Sequence, residues 1–201
     1  DAPSHISTHA RLTFNLLEGL KLNLFGAYTY NIVENSQYLP TSVWANGQAY
    51  KGTKKRESLL GNMMLTYKKN WKKHFFDVLA LAELQKETYT GYYTTVSNFS
   101  TDKFGYNNLQ AGALRLWEGT NSYYEQPRLA SFMGRFNYTY ADRYVLTLNA
   151  RTDASSKFGA NHKWGFFPSA SAAWVISEEE FMKQLPMVDN LKFRIGYGLA
   201  G

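Results

Sequence analysis

The feature that most constrains this chain is a two-residue alternation between Tyr144 and Asp153. Apolar residues hold every second position from Tyr144 to Ala150, and polar or charged residues fill most of the other positions. Only an extended strand places alternate side chains on opposite faces, so this segment is predicted to be a strand with one apolar and one polar face. The apolar face comprises Tyr144, Leu146, Leu148 and Ala150, and the polar face comprises Thr147, Asn149, Arg151 and Asp153.

Similar alternation recurs along the chain and predicts about eight antiparallel strands. Residues 20–30 form the clearest of the others, because leucine and tyrosine alternate there with mostly polar residues. Residues 74–87 are ambiguous, since their leucines and alanines also suit a short buried helix and only their neighbours favour a strand. The predicted strands are residues 10–16, 20–30, 58–67, 74–87, 131–140, 144–153, 166–175 and 191–198.

The predicted connections alternate between long and short. Long polar connections are expected at residues 31–57, 88–128 and 154–163, of which the second is the longest loop. Short or compact ones are expected at residues 18–19, 68–73, 141–143 and 176–190. The last should contain one or two helical turns that Ser177 caps and Pro186 ends. In outer-membrane barrels, long loops face outward and short turns face the periplasm, so the asymmetry indicates which end of the strands is which.

Composition agrees with strands that meet lipid on one side and water on the other. Aromatic residues make up 16% of the chain, and the mean hydropathy is −0.41. No apolar run approaches the roughly 18 residues that a membrane helix needs, so a chain of this kind crosses a bilayer only as strands. The chain has no cysteine, which excludes disulfides and thiolate metal sites.

Between residues 134 and 192 the chain carries a series of short aromatic, glycine-containing and charged motifs. The motifs are Gly134-Arg135-Phe136-Asn137-Tyr138, Asp142-Arg143-Tyr144, Arg151-Thr152-Asp153-Ala154-Ser155-Ser156-Lys157-Phe158-Gly159, Trp164-Gly165-Phe166-Phe167-Pro168-Ser169, Trp174, Ile176-Ser177-Glu178-Glu179, Phe181-Met182 and Asn190-Leu191-Lys192. Their order and spacing resemble the C-terminal barrel signature of SusC/RagA-type TonB-dependent transporters. The resemblance implies an all-β fold, in which an antiparallel up-and-down meander forms part of a large transmembrane β-barrel. Residues 1–201 are then expected to be a partial barrel domain, without plug or signal peptide.

The same resemblance implies a function in transport. Members of the family are active TonB-dependent transporters that import large nutrients, oligosaccharides or peptides, across the outer membrane of Gram-negative cells. Their partners are a SusD-like surface lipoprotein and the TonB-ExbB-ExbD energising complex. We therefore expect a multi-pass barrel in contact with outer-membrane lipid, with no enzymatic activity, no cofactor, no metal and no nucleic-acid partner.

Two groups of residues are candidates for function. Aromatic rings in the predicted loops could stack on sugar faces, although packing within loops or at the membrane girdle is the commoner role of such rings. These aromatic candidates are Trp44, Tyr50, Tyr92, Tyr93, Trp117, Tyr123, Tyr124 and Trp164. The second group is expected to face the barrel lumen, where charged residues more often brace the wall through ion pairs than contact a solute. It comprises Arg135, Asn137, Asn149, Arg151, Asp153 and Arg194.

Two other classes of protein share parts of this pattern. A soluble β-sandwich that binds glycans would alternate in the same way, but it would bury its apolar face in a packed core. A passive outer-membrane pore would share the barrel but not the resemblance in residues 164–168 and 176–179. Both classes stay open from the sequence alone.

The sequence gives less support to a nucleic-acid site, a zinc site or a hydrolase site. The net charge is +6, and lysines surround Trp71 in residues 68–73. A solvated turn with Trp71 at the rim explains that cluster better than nucleic-acid binding does. His5 and His9 could share a zinc ion only on a helix, which nothing indicates there. Asp153, Ser155 and His162 are residue types found in hydrolases, but nothing in the sequence positions the histidine.

Overall fold

The computed structural model describes residues 2–159, 163–184 and 187–199, and most of them lie in β-strands. Nine strands occur within these ranges. They are β1 (Ala2–Leu17), β2 (Leu20–Leu39), β3 (Gln48–Trp71), β4 (His74–Phe99), β5 (Gly112–Glu125), β6 (Arg128–Tyr140), β7 (Tyr144–Ser155), β8 (Trp164–Val175) and β9 (Lys192–Gly198). No helix within the described ranges is long and apolar enough to span a membrane.

The nine strands form one sheet in the order β1-β2-β3-β4-β6-β7-β8-β9, with β5 paired to β4 off this path. Antiparallel pairs in this sheet include β4 with β5, β6 with β7, β7 with β8, and β8 with β9. Neighbours in sequence are neighbours in the sheet, except that β6 pairs with β4 rather than with β5. The predicted antiparallel up-and-down meander is therefore confirmed.

The prediction of long loops at residues 31–57 and 88–128 was largely wrong. Strand β2 continues to Leu39 and β3 begins at Gln48, so the first connection spans only residues 40–47. Strand β4 continues to Phe99, and the unpredicted β5 follows a connection of residues 100–111. Both errors have one cause: these strand segments carry polar residues on both faces and so lack the apolar half of a two-residue period.

Two other local predictions are resolved by the structure. Residues 74–87 lie within strand β4 rather than in a helix. The compact segment after β8 holds two short 3-10 turns, Ile176–Glu178 and Glu180–Gln184, in agreement with the prediction of one or two helical turns. Ser177 lies inside the first turn and does not cap it. Pro186 and His162 lie outside the described residues.

The chain divides into two compact units. Unit 1 comprises residues 2–8, 27–59 and 86–127, and unit 2 comprises residues 9–26, 60–85 and 128–199. Unit 1 has a small buried cluster of Ala49, Val96 and Phe99, against which Tyr38, Leu109 and Ala111 pack. Unit 2 includes strand segments, three tight turns that join consecutive strands, and the two 3-10 turns.

The three tight turns at residues 18–19, 72–73 and 141–143 lie side by side. Together with the adjoining strand residues 20–21 and 68–71 they are named the turn edge. The Lys68 backbone N–H donates to the Gly19 carbonyl at 2.8 Å. The Ala141 backbone N–H donates to the Lys73 carbonyl at 2.7 Å. Each turn holds at least one residue with positive φ, among them Ala141 at 53° and Asp142 at 58°. The predicted short turns at 18–19 and 141–143 are confirmed, and the one within 68–73 is reduced to its last two residues.

Candidate functional site

One face of unit 2 is apolar and open to its surroundings. Within β7, Leu146 and Leu148 are exposed, whereas Val145 and Thr147 on the other face are half-buried. Leu148 pairs with Phe136 of β6 and with Ala170 of β8, and paired residues share a face. Large exposed apolar residues on this apolar face include Phe132, Leu146, Leu148, Phe166 and Trp174. No second sheet covers them within the described residues, so the face does not form the packed core that a sandwich requires.

Aromatic rings gather at one end of the apolar face, next to the turn edge. The His74 ring lies 5.5 Å from that of Trp71, 5.9 Å from that of Tyr138 and 5.0 Å from that of Tyr140, measured between centroids. Tyr140 in turn lies 6.4 Å from Tyr144. Tyrosine and tryptophan concentrate in this way at membrane–water interfaces, because their rings are apolar and their N–H or O–H groups are polar.

A smaller aromatic pair marks the other end of the same face. Trp164 stacks on Phe132, with centroids 6.0 Å apart and rings 24° from parallel. Trp164 was a candidate loop contact, and its position at the edge of the apolar face favours the alternative of girdle packing.

The opposite face of unit 2 is polar and crossed by ion pairs. Asp77 lies 3.5 Å from the Lys68 ammonium and 3.9 Å from the Arg135 guanidinium. The Arg151 guanidinium lies 2.7 Å from the Asp153 carboxylate. These contacts join residues of neighbouring strands or alternate positions of one strand, so they brace the sheet on its polar side.

The six residues predicted to face a lumen all lie on this polar face. The register pairs Arg135 with Asn149 and Asn137 with Thr147. Arg151 and Asp153 follow Asn149 at alternate positions of β7. Arg194 pairs with Ala173, which in turn pairs with Val145 on the polar side of β7. That the polar face lines a channel stays a prediction.

In unit 1, three of the aromatic candidates share one face of β3, β4 and β5, named here the tyrosine face. Tyr50 and Tyr93 stack with centroids 5.9 Å apart. Tyr123 pairs with Gly91 across the β4–β5 hairpin, and its ring covers that glycine so closely that a Cβ there would meet the ring at 2.6 Å. Gly91 and Tyr93 occupy alternate positions of β4, so Tyr123 lies on their face.

The tyrosine face also carries a charged pair that the sequence did not reveal. The Arg56 guanidinium lies 2.6 Å from the Glu87 carboxylate and 5.6 Å from the centre of the Tyr89 ring. The Tyr89 hydroxyl donates to the other oxygen of Glu87. Arg56 was predicted to lie in a loop, where no strand register could bring it to Glu87.

The remaining aromatic candidates of unit 1 do not join this group. Tyr92 of β4 and Tyr124 of β5 lie on the face of the sheet opposite the tyrosine face, and both are exposed. Trp117 is 91% exposed where the β4–β5 register shifts. Trp44 is exposed in the connection 40–47. The structure thus brings together three of the eight predicted aromatics.

Asp102 ties the two connections of unit 1 together. Its carboxylate accepts hydrogen bonds from the Tyr38 hydroxyl at 2.6 Å, the Thr41 hydroxyl at 2.7 Å and the Thr41 backbone N–H at 3.1 Å. These bonds, led by that from Tyr38, hold the pKa of the Asp102 carboxyl below its usual value. Residues 40–47 and 100–111 are therefore fixed to each other by a charged acceptor.

Asp102→Asn should loosen the contact between these two connections and remove the pH dependence of its stability. Because the folded pKa lies below the unfolded one, the carboxylate stabilises the contact above about pH 4 and loses that effect as the pH falls further. We expect amide hydrogen exchange in residues 100–111 of the native protein to be slow and constant from pH 8 to 5, after correction for intrinsic exchange rates, and to accelerate below about pH 4. In the variant, exchange should be faster at neutral pH with no such acid step; an unchanged acid step would assign it to another group.

The described residues offer no evident metal site. In residues 2–159, 163–184 and 187–199, no three His, Cys, Asp or Glu side chains are grouped closely enough to hold an ion. His5 and His9 both lie on strand β1, where His5 hydrogen-bonds to Asn31 and His9 contacts the Phe25 ring. The helical spacing that a zinc pair would need is therefore absent there.

Comparison with known proteins identifies a family whose members this chain resembles. A family model described as TonB dependent receptor-like, beta-barrel matches residues 4–200. TonB-dependent receptor P3 of Formosa agariphila is 30% identical over 192 residues, which cover 94% of this chain and 19% of that protein. TonB-dependent receptor SusC of Bacteroides thetaiotaomicron is 30% identical over 210 residues, covering 94% of this chain and 18% of that protein. The chain spans about a fifth of the length of these relatives.

Solved structures show the same fold. The RagAB peptide transporter superposes with a TM-score of 0.82 at 18% identity, covering 98% of this chain and 23% of that one. The ferric citrate transporter FecA superposes with a TM-score of 0.51 at 8% identity, covering 87% of this chain and 25% of that one. These structural similarities agree with the predicted barrel architecture. Because the sequence identities are below 25%, they show the fold and nothing about function.

Proposed function

Because the chain belongs to the TonB-dependent receptor-like β-barrel family, we propose that it forms part of the wall of an outer-membrane transporter that imports large nutrients. The SusC/RagA group is the relevant branch, since SusC is among its relatives and RagAB among its structural neighbours. The family is one of receptors and transporters, so an enzymatic role finds no support in it.

The height of the apolar face is the observation that carries this proposal. Tyr144 pairs with Trp174 at one end of β7, and Ala154 pairs with Trp164 ten positions along. Ten steps of about 3.3 Å give roughly 33 Å along the strand, and a tilt of about 40° reduces this to roughly 25 Å of height. The apolar band of outer-membrane barrels has about this height and is also bounded by aromatic residues.

The two ends of the sheet fit a section of a closed barrel. Among the described strands, β1 pairs only with β2, and β9 pairs only with β8. Free strand edges invite aggregation, and a barrel removes them by pairing its first and last strands. We infer that β1 and β9 pair with further strands of a larger barrel, in line with relatives about five times as long.

The tyrosine face is the candidate for contact with substrate. Tyr50, Tyr93 and Tyr123 present flat rings beside the Arg56–Glu87 pair. Rings of this kind stack on sugar faces, and the charged pair can hydrogen-bond to hydroxyl or peptide groups. Oligosaccharides and peptides both fit this chemistry. A SusD-like surface lipoprotein and the TonB-ExbB-ExbD complex are the proposed partners.

The proposal is tested on the full-length protein that carries this chain. Outer membranes from producing cells are run on a denaturing gel with and without heating. We expect the protein in that fraction, with faster migration when unheated, because closed barrels resist detergent at low temperature. Recovery in the soluble fraction without a shift would favour the sandwich instead.

Uptake then separates an active transporter from a passive pore. Cells that lack TonB should lose uptake of large nutrients through the protein if it is energised. Unchanged uptake in such cells would favour the pore.

A further inference from the structure

The turn edge carries a group of unpaired positive charges. Residues 68–73 include four lysines, and Lys68 is bound to Asp77. The other three, Lys69, Lys72 and Lys73, are exposed, and none has a carboxylate within ion-pair distance in the described part of the chain. These three ammonium groups can therefore attract an anion that is not part of the described chain.

Charges on the neighbouring turns do not cancel this group. The two adjoining turns contribute the carboxylates of Glu18 and Asp142, and Lys21 lies at the start of β2 beside the first of them. Arg143 is engaged with Glu179 at 3.0 Å and with Glu180 at 3.6 Å. With three free lysines and Lys21 against two carboxylates, the turn edge keeps a net positive charge.

The lysines adjoin the aromatic end of the apolar face. Trp71 is 60% exposed, lies within two residues of all three lysines and stacks on His74. His74 Nδ1 is hydrogen-bonded to the Tyr138 hydroxyl at 2.7 Å, which holds two of these rings in place. Lys69 and Trp71 occupy alternate positions of β3 and so share a face. A tryptophan at the headgroup level would place the lysine ammonium groups at the depth of lipid phosphates.

We propose that the turn edge binds anionic phospholipid headgroups through Lys69, Lys72 and Lys73. This inference rests on the proposed function, because it needs the apolar face in a bilayer with the short turns on the periplasmic side. A lipid is favoured over a soluble anion because the charges are continuous with the aromatic rings and the apolar face. Each lysine near a charged membrane surface contributes roughly a fivefold change in affinity, so three give up to about a hundredfold.

The test measures lipid binding to the purified full-length protein in detergent. Phosphatidylglycerol and phosphatidylcholine with identical acyl chains are titrated separately, and bound lipid is counted by native mass spectrometry. We expect the native protein to prefer phosphatidylglycerol at least tenfold. The combined variant Lys69→Gln, Lys72→Gln, Lys73→Gln should lose most of that preference, by ten- to hundredfold, and keep its affinity for phosphatidylcholine.

A matched variant removes the same charge elsewhere. Lys51→Gln, Lys54→Gln, Lys55→Gln alters three lysines of β3 in unit 1 and should leave the preference unchanged. Equal losses in both variants would overturn the local site in favour of net charge. Full competition by inorganic pyrophosphate would favour a soluble anion over a lipid as the ligand. A native protein that binds both lipids equally would overturn the proposal outright. The heated and unheated gel on the same preparation separates these outcomes from a failure of the barrel itself.

Discussion

Leu148→Arg should destabilise the folded protein by about 2–4 kcal/mol, the cost of a charged residue near the midplane of a barrel's lipid face. Leu148 is 42% exposed on the apolar face and lies about halfway between the aromatic ends. If water covered this face, the substitution would cost almost nothing. The measurement is reversible urea unfolding of the full-length protein in lipid vesicles.

Two further arginine variants identify what surrounds that face. Thr147→Arg places the same charge one position away on the polar face and should cost less than about 1 kcal/mol, because a wet interior hydrates it. Ala154→Arg lies on the apolar face at the level of Trp164 and should also cost no more than about 1 kcal/mol, since the penalty falls toward the interface. A protein core would penalise both apolar positions alike, so equal losses at Leu148 and Ala154 would contradict the membrane assignment.

Where a strand has one apolar face, its sequence was enough to predict it. Residues 144–153 and 166–175 alternate cleanly, and β7 and β8 match them to within two residues at each end. The turn at residues 18–19 was predictable because glycine permits a positive φ. By contrast, Ala141, Asp142 and Lys72 adopt positive φ without glycine, which no local pattern announces.

Where both faces of a strand carry polar residues, the sequence shows no alternation from which the strand could be predicted. Strand β5 and residues 31–39, 48–57 and 88–99 of β2, β3 and β4 were predicted to be loops, because a two-residue period needs a contrast between faces. The tyrosine face could not be assembled without these strands. Its aromatic members were named individually, but the contact between Arg56 and Glu87 depends on a register that only the structure provides.

The second large effect is expected at Gly19, where the turn edge tolerates no side chain. Gly19 has a φ of +78°, and a Cβ there would lie 2.1 Å from the Lys68 carbonyl oxygen. Gly19→Ala therefore combines a left-handed backbone penalty of about 1–2 kcal/mol with a clash against backbone. Relief of the clash would move Lys68 and weaken its 2.8 Å hydrogen bond to the Gly19 carbonyl, worth about 1 kcal/mol more.

We therefore expect Gly19→Ala to lose about 3 kcal/mol in the same vesicle assay, the sum of these two effects. Gly61→Ala is the matched control, because a Cβ at Gly61 meets no heavy atom within 4 Å and its φ is not positive. It should change stability by less than about 1 kcal/mol, with a small gain possible from the restricted unfolded chain. If both alanines cost the same, strand flexibility rather than the Gly19–Lys68 contact would explain the loss. A loss confined to Gly19 would show that the β1–β2 turn is held against β3 by its backbone contact with Lys68, a contact that does not involve the side chains of Lys69, Lys72 and Lys73.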